Sequence, residues 1–173
     1  RYSTTGSSRQ ENAQPVYIEG SNGPLALAHN GNLINAEVLR YDLEDNGAVF
    51  TGSTDTEVAA RMLASAPGSD WLERCANTMK AMAGAYCFVA LTPTALIAMR
   101  DPYGVRPLCI GKLPPEGGHA YGGNGHSGWV IASETCALDH LGAEFVREIE
   151  PGEAIVIDDE GLHAVQAVEK RRD

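Results

Sequence analysis

Apolar positions change their spacing close to residue 84. Before that point they recur at three- and four-residue intervals, the period of a helix with one buried stripe. Leu39 and Leu43 predict a helix over 36–45, with Asn35 available as its N-cap and Asn46-Gly47 as its stop. A second helix opens at Thr54-Asp55-Thr56-Glu57, where Thr54 and Glu57 have capping-box spacing, carries Val58 and Met62 on one face, and ends at Pro67-Gly68. Leu72, Cys75, Met79 and Met82 predict a third over 70–82, capped by Ser69. Ahead of these lie two strand-like stretches, 16–19 and 25–29, split by the turn-forming Ser21-Asn22-Gly23-Pro24, and Asn30-Gly31-Asn32 reads as a tight turn. After residue 84 the apolar residues fall in short strand-like runs at 85–91, 95–100, 108–111, 129–132, 144–149, 154–157 and 162–167. A short helix after Ser133 interrupts them.

The connections between the late strands are turn chemistry, Asp101-Pro102-Tyr103-Gly104 and Pro151-Gly152 among them, which favours antiparallel hairpins over helical crossovers. Helices early and antiparallel strands late imply an α+β protein, and a four-layer αββα sandwich fits the count. The chain shows no repeat and no linker, so residues 1–173 read as a single unit. The Gly-rich stretch 116–128 reads as a surface loop; it lacks the Gly-Lys-Ser/Thr ending of a phosphate cradle.

Composition narrows the function. A formal net charge of −10 and a pI near 4.9 argue against a nucleic-acid partner, which needs clustered cations. The only basic cluster, Lys170-Arg171-Arg172, reads as a solvated tail. No apolar run approaches the roughly 20 residues that span a bilayer, and residues 1–14 are unlike a signal sequence, so a cytoplasmic location without membrane contact is expected. Cys75, Cys87, Cys109 and Cys136 form no CxxC pair and mostly lie in apolar stretches, as buried free thiols do; no metal site is assigned to them.

Three polar segments stand at the ends of elements, where sites concentrate: 1–6, 29–32 and 53–57. Asn30-Gly31 can converge a side-chain amide and an unhindered backbone N–H on one point, as an oxyanion hole requires; a plain turn accounts for the same dipeptide. Asp55 lies in the first turn of a helix, where the dipole favours a carboxylate, and it could also take a ligand ammonium. Arg1 could fork onto a ligand carboxylate. An Arg and an Asp facing one small molecule would suit an α-amino acid.

Taken in order, RYST-TG, NAQP, AHNGNL, Phe50 separated by four residues from DTE, RDPYGVRPL, ASE and PGE resemble the glutamine amidotransferase domain of the amidophosphoribosyltransferases. The resemblance runs from Arg1 to about Glu153. It implies an αββα sandwich of the N-terminal-nucleophile hydrolase type, incomplete at its N-terminal side. It also implies an enzyme that takes ammonia from glutamine and transfers it to phosphoribosyl pyrophosphate, giving 5-phosphoribosylamine for purine synthesis. By the same resemblance Arg1, with Thr4, holds the glutamine carboxylate and Asp55 the ammonium. Tyr2 belongs to a loop, 2–8, that closes over glutamine, while Asn30 and Gly31 bind the oxyanion. Ser133-Glu134 is read as a helix cap, and His29 as packing beneath the turn.

In this family an N-terminal cysteine attacks the glutamine amide. That Cys-Gly start is absent here, and the four internal cysteines lack the free α-amino group that serves as base. The expectation is a truncated domain, inactive alone, whose nucleophile-bearing segment and C-terminal phosphoribosyltransferase domain lie outside the chain. Such a piece would leave sheet edges exposed. The family's Mg2+ and the iron–sulfur cluster of some members also fall outside it, and the parent is expected to be a homo-oligomer. Two alternatives remain: a glucosamine-6-phosphate synthase-like domain, and a non-catalytic module that keeps the pocket.

Overall fold

A computed structural model describes residues 12–114 and 128–171. The opening hairpin is β1 (Val16–Gly20) and β2 (Gly23–Leu33). β2 runs further than its pattern predicts. Asn30, Gly31 and Asn32 do not turn the chain; they pair with Cys87, Tyr86 and Ala85 of β3 (Gly84–Leu91). A glycine is needed there because φ at Gly31 is 147° and a Cβ would strike the Ala85 carbonyl oxygen.

Three helices separate β2 from β3. In α1 (Ala36–Asp45), Asn35 occupies the N-cap position but makes no side-chain cap. Its amide instead donates to Ala81 O at 2.9 Å and accepts from Ala83 N at 2.9 Å, tying α1 to the far end of the third helix. α2 (Asp55–Ser65) is capped by Thr54, whose Oγ1 accepts from Glu57 N at 3.2 Å. Glu57 turns away from that box to accept from Thr51 N at 3.0 Å, Gly52 N at 2.7 Å and Arg61. In α3 (Trp71–Ala81) the cap is Asp70 rather than Ser69, Asp70 accepting from Glu73 N at 2.8 Å while Ser69 donates to the Glu73 carboxylate. Two adjacent residues of capping type compete there, and Asp70 is the one in extended geometry.

The remaining elements follow the predicted runs: β4 (Leu96–Arg100), β5 (Cys109–Lys112), β6 (Trp129–Ala132), α4 (Thr135–Leu141), β7 (Glu144–Glu148), β8 (Glu153–Asp158) and β9 (Gly161–Gln166). Glu134 holds the N-cap place of α4 without a side-chain cap bond, so the expected cap does not form. Among the described residues every strand pair is antiparallel. One sheet has the order β1-β2-β3-β4-β8-β9 and the other β6-β5-β7. The predicted loop over 116–128 lies, except for Gly128, outside the described residues.

Alternation along each strand builds the layers. Leu25, Leu27, Phe88, Ile97 and Val156 point to one face of the larger sheet, packing with Val58, Leu63 and Met79 from α2 and α3. Cys87, Ala98, Ile155 and Ile157 point to the other, meeting Leu108 and Ile110 of the smaller sheet. Leu138 of α4 closes the outer face of that second sheet against Cys109 and Ala143. The result is helices, sheet, sheet, helix: the αββα sandwich. The smaller sheet does not extend over β1 and β2, where Tyr17 is 62% exposed.

The smaller sheet is an excursion of the chain between β4 and β8, and its base is clamped. The buried Arg100 guanidinium donates to Arg106 O at 2.8 Å, Gly104 O at 3.0 Å and Ile149 O. Gly152 N donates to Arg100 O and Asp101 O across the same gap. The Asp101-Pro102-Tyr103-Gly104 turn forms as read: Gly104 N donates to Asp101 O at 3.0 Å, and the buried Asp101 carboxylate accepts from Tyr103 N and Tyr86 N. Lys170 pairs with Glu150 at 2.6 Å and Arg171 N donates to Pro102 O, so Lys170 and Arg171, though exposed, lie against the body.

Candidate functional site

Of the predicted site residues, Asn30, Gly31 and Asp55 are described; Arg1, Tyr2 and Thr4 lie outside the described residues. Asn30 is exposed and sits on the face of β2 that the smaller sheet leaves open. It is aligned with Cys87 of β3. Gly31 follows with the positive φ that turns its peptide out of regular strand geometry.

Asp55 is brought to the same strand. Its side chain is fully buried at the start of α2, and Oδ2 accepts from Leu33 N, two residues beyond Gly31, at 3.0 Å. The same oxygen lies 3.6 Å from Nδ1 of His29, the residue before Asn30, whose side chain is also fully buried. Among the described residues Oδ1 has no hydrogen-bond partner. An unsatisfied buried carboxylate oxygen costs free energy, about 1–3 kcal/mol, unless a ligand or water meets it. A cleft of about 520 Å³ between α1 and α2 is lined by Leu33, Glu37, Arg40, Tyr41, Thr54 and Asp55; Asn30 and Gly31 do not line it.

Residues not singled out in the sequence for chemistry hold this arrangement together. Gln14 Oε1 accepts from His29 N at 2.8 Å, and Gln14 Nε2 donates to Thr56 Oγ1 at 3.0 Å, so one side chain links the strand before Asn30 to the helix turn after Asp55. Thr56 Oγ1 lies 3.4 Å from His29 Nδ1, and the His29 ring packs on Phe88 with centroids 4.5 Å apart. His29 therefore packs as read, but beside a carboxylate rather than beneath a turn. Tyr86, cross-strand from Gly31, stacks on Phe88, and burial pushes its phenol well up from the ordinary range. Phe50 sits with the Arg40 guanidinium 4.0 Å and the Arg61 guanidinium 4.9 Å from its ring centroid, which gives the Phe50 to Asp55-Thr56-Glu57 spacing a structural meaning. The loop before α2 is pinned at both ends of that spacing, and Asp55 with it. Gln14, His29 and Thr56 fall within the NAQP, AHNGNL and DTE strings and Phe50 within the spacing before DTE, whereas Tyr86, Arg40 and Arg61 lie outside the quoted motifs.

The cysteines are poor nucleophiles. Cys75, Cys87 and Cys109 are buried, and burial pushes the thiols of Cys75 and Cys87 up to about 12. Cys136 is exposed, and its hydrogen bond to Glu134 raises it. Among the described residues no group of three or more His, Cys, Asp or Glu side chains is placed to hold a metal ion. None of their helices is long and apolar enough to cross a membrane.

The chain is similar to known amidophosphoribosyltransferases over nearly all of its length. The amidophosphoribosyltransferase of Bacillus subtilis is 44% identical over 94% of this chain and 32% of its own length. That of Methanocaldococcus jannaschii is 46% identical over 92% of this chain and 32% of its own length. The chain thus spans about a third of the curated relatives it matches. Among solved structures, the B. subtilis glutamine phosphoribosylpyrophosphate amidotransferase complexed with ADP and GMP aligns over 97% of this chain and 34% of that one, with TM-score 0.79 and 40% identity. A second, described as the allosteric regulatory enzyme of purine biosynthesis, gives TM-score 0.81 and 41% identity, covering 97% of this chain and 34% of that chain. The family described as glutamine amidotransferase domain matches residues 1–140, and the chain belongs to that family.

Proposed function

We propose that this chain is the glutamine-recognising part of an amidophosphoribosyltransferase, the enzyme that frees ammonia from glutamine and passes it to phosphoribosyl pyrophosphate to give 5-phosphoribosylamine. The observation that carries the reading is Asp55: one oxygen fixed on the strand of Asn30-Gly31, the other without a partner among the described residues. A buried anion with one open acceptor suits a ligand ammonium. Asn30 and the Gly31 N–H would then take the charge that develops on the amide oxygen when a thiolate attacks it. Arg1 and Thr4 would hold the α-carboxylate and Tyr2 would close over the ligand.

No thiol of this chain suits the attack, and the relatives are about three times its length. Both facts support placing the nucleophile and the phosphoribosyltransferase domain in parts of a longer protein outside residues 1–173. The test is ammonia release from glutamine by the full-length protein. Asn30→Ala should lower kcat by roughly 10²–10³-fold, the usual loss of one oxyanion donor. Asp55→Asn should act mainly on KM. The isolated chain should release none; release that depends on Asn30 would contradict this reading.

A further inference from the structure

We propose that His29 is a positioning residue for glutamine recognition, holding Asp55 so that its Oδ1 stays turned to the substrate ammonium; this rests on the role of Asp55 proposed above. Oδ2 is engaged by Leu33 N at 3.0 Å and faces His29 Nδ1 at 3.6 Å. A carboxylate only accepts, so the contact is favourable when the imidazole nitrogen facing it carries a proton. At 3.6 Å this is an electrostatic contact rather than a hydrogen bond, but both side chains are fully buried and solvent screens it little. With Oδ2 held from two directions, rotation of the carboxylate would cost both contacts.

His29 can do this because it cannot move itself. Its ring lies on Phe88, Thr56 Oγ1 sits 3.4 Å from Nδ1, and Gln14 Oε1 fixes its backbone N–H. The next residue is Asn30, so one rigid unit carries the oxyanion donor and aligns the ammonium acceptor. Recognition of the α-amino group and stabilisation of the reacting amide are thereby set at a fixed distance, which a positioned pair of groups needs.

The experiment compares glutamine with 4-carbamoylbutanoate, the same molecule without the α-amino group, in the full-length enzyme. His29→Leu should raise KM for glutamine roughly tenfold, with kcat changed less than about threefold, as for a modest charge-assisted contact. Its inhibition constant for 4-carbamoylbutanoate, measured by competition, should stay unchanged. His29→Asn, whose amide nitrogen replaces Nδ1, should retain most of the glutamine affinity, and His29→Gln, which places its amide at Nε2, should not; this pair decides the matter should the leucine variant fail to fold. An equal loss on both ligands, no loss on either, or equal behaviour of the Asn and Gln variants would overturn the inference. A parent enzyme that neither cleaves glutamine nor is inhibited by 4-carbamoylbutanoate would instead overturn the underlying reading of the site.

Discussion

Replacing Gly31 by Ala adds one methyl group where β2 runs tightly against β3. At φ 147° the backbone lies in territory that L residues rarely adopt, a cost of roughly 1–3 kcal/mol. The new Cβ would also press on the Ala85 carbonyl oxygen and lie 2.8 Å from Tyr86 Cα. Both are backbone atoms of β3, so relief requires parting β2 from β3 at the middle of the larger sheet; overpacking of that kind adds about 1–3 kcal/mol. The sum, about 2–6 kcal/mol, is a large share of the 5–15 kcal/mol typical of a domain. Gly47→Ala is the matched control: its φ is also positive, at 89°, but nothing lies within 4 Å of the added Cβ, so only the conformational cost applies. Urea unfolding followed by circular dichroism, with the m-value checked for constancy, would read both. Gly31→Ala should lose at least about 1 kcal/mol more than Gly47→Ala. Equal losses would mean that β2 and β3 do not approach as described, and the account of why this strand carries Asn-Gly would fail with them.

Thiol chemistry offers two further checks. With Ellman's reagent at pH 8, Cys136 alone should react in the folded chain, more slowly than a free thiol because Glu134 raises it, and all four should react on unfolding; a second fast thiol would contradict the burial of Cys75, Cys87 and Cys109. Burial raises Cys75 and Cys87 from 9.0 to about 12, so the folded state keeps these protons longer than the unfolded chain. Their contribution is complete below the unfolded value and is lost as pH climbs from there to the folded one, at about 1.4 kcal/mol per pH unit for each thiol. The loss of stability between pH 8 and 10.5 should be shallower in Cys75→Ala than in the parent, and parallel curves would refute it.

Legibility from sequence followed the range of the interactions. The hairpins β3-β4 and β8-β9 were readable because their strands meet across a few turn residues, and the three helices because their stripes and stops are local. Asn30-Gly31-Asn32 misled for the opposite reason: its short-range signal is a turn, but pairing with Cys87, Tyr86 and Ala85, more than fifty residues away, prevails. The role of Asn35 was hidden in the same way, since its partners Ala81 and Ala83 lie in a different element. In the site, Asp55, Asn30 and Gly31 could be named from motif order. Gln14, His29 and Thr56 could not be linked, because nothing in the sequence shows that an amide at residue 14 spans a strand and a helix turn.

The clamp at Arg100 and Gly152 makes the smaller sheet a tied loop. The register of Leu96–Met99 against Ala154–Ile157 is fixed on the near side of the knot, so a change in length between the two ends of the tie need not shift it. Lengthening or shortening the connection from β5 to β6 would therefore be taken up inside the loop. The sheet that carries Asn30 and Gly31 would keep its frame through such a change.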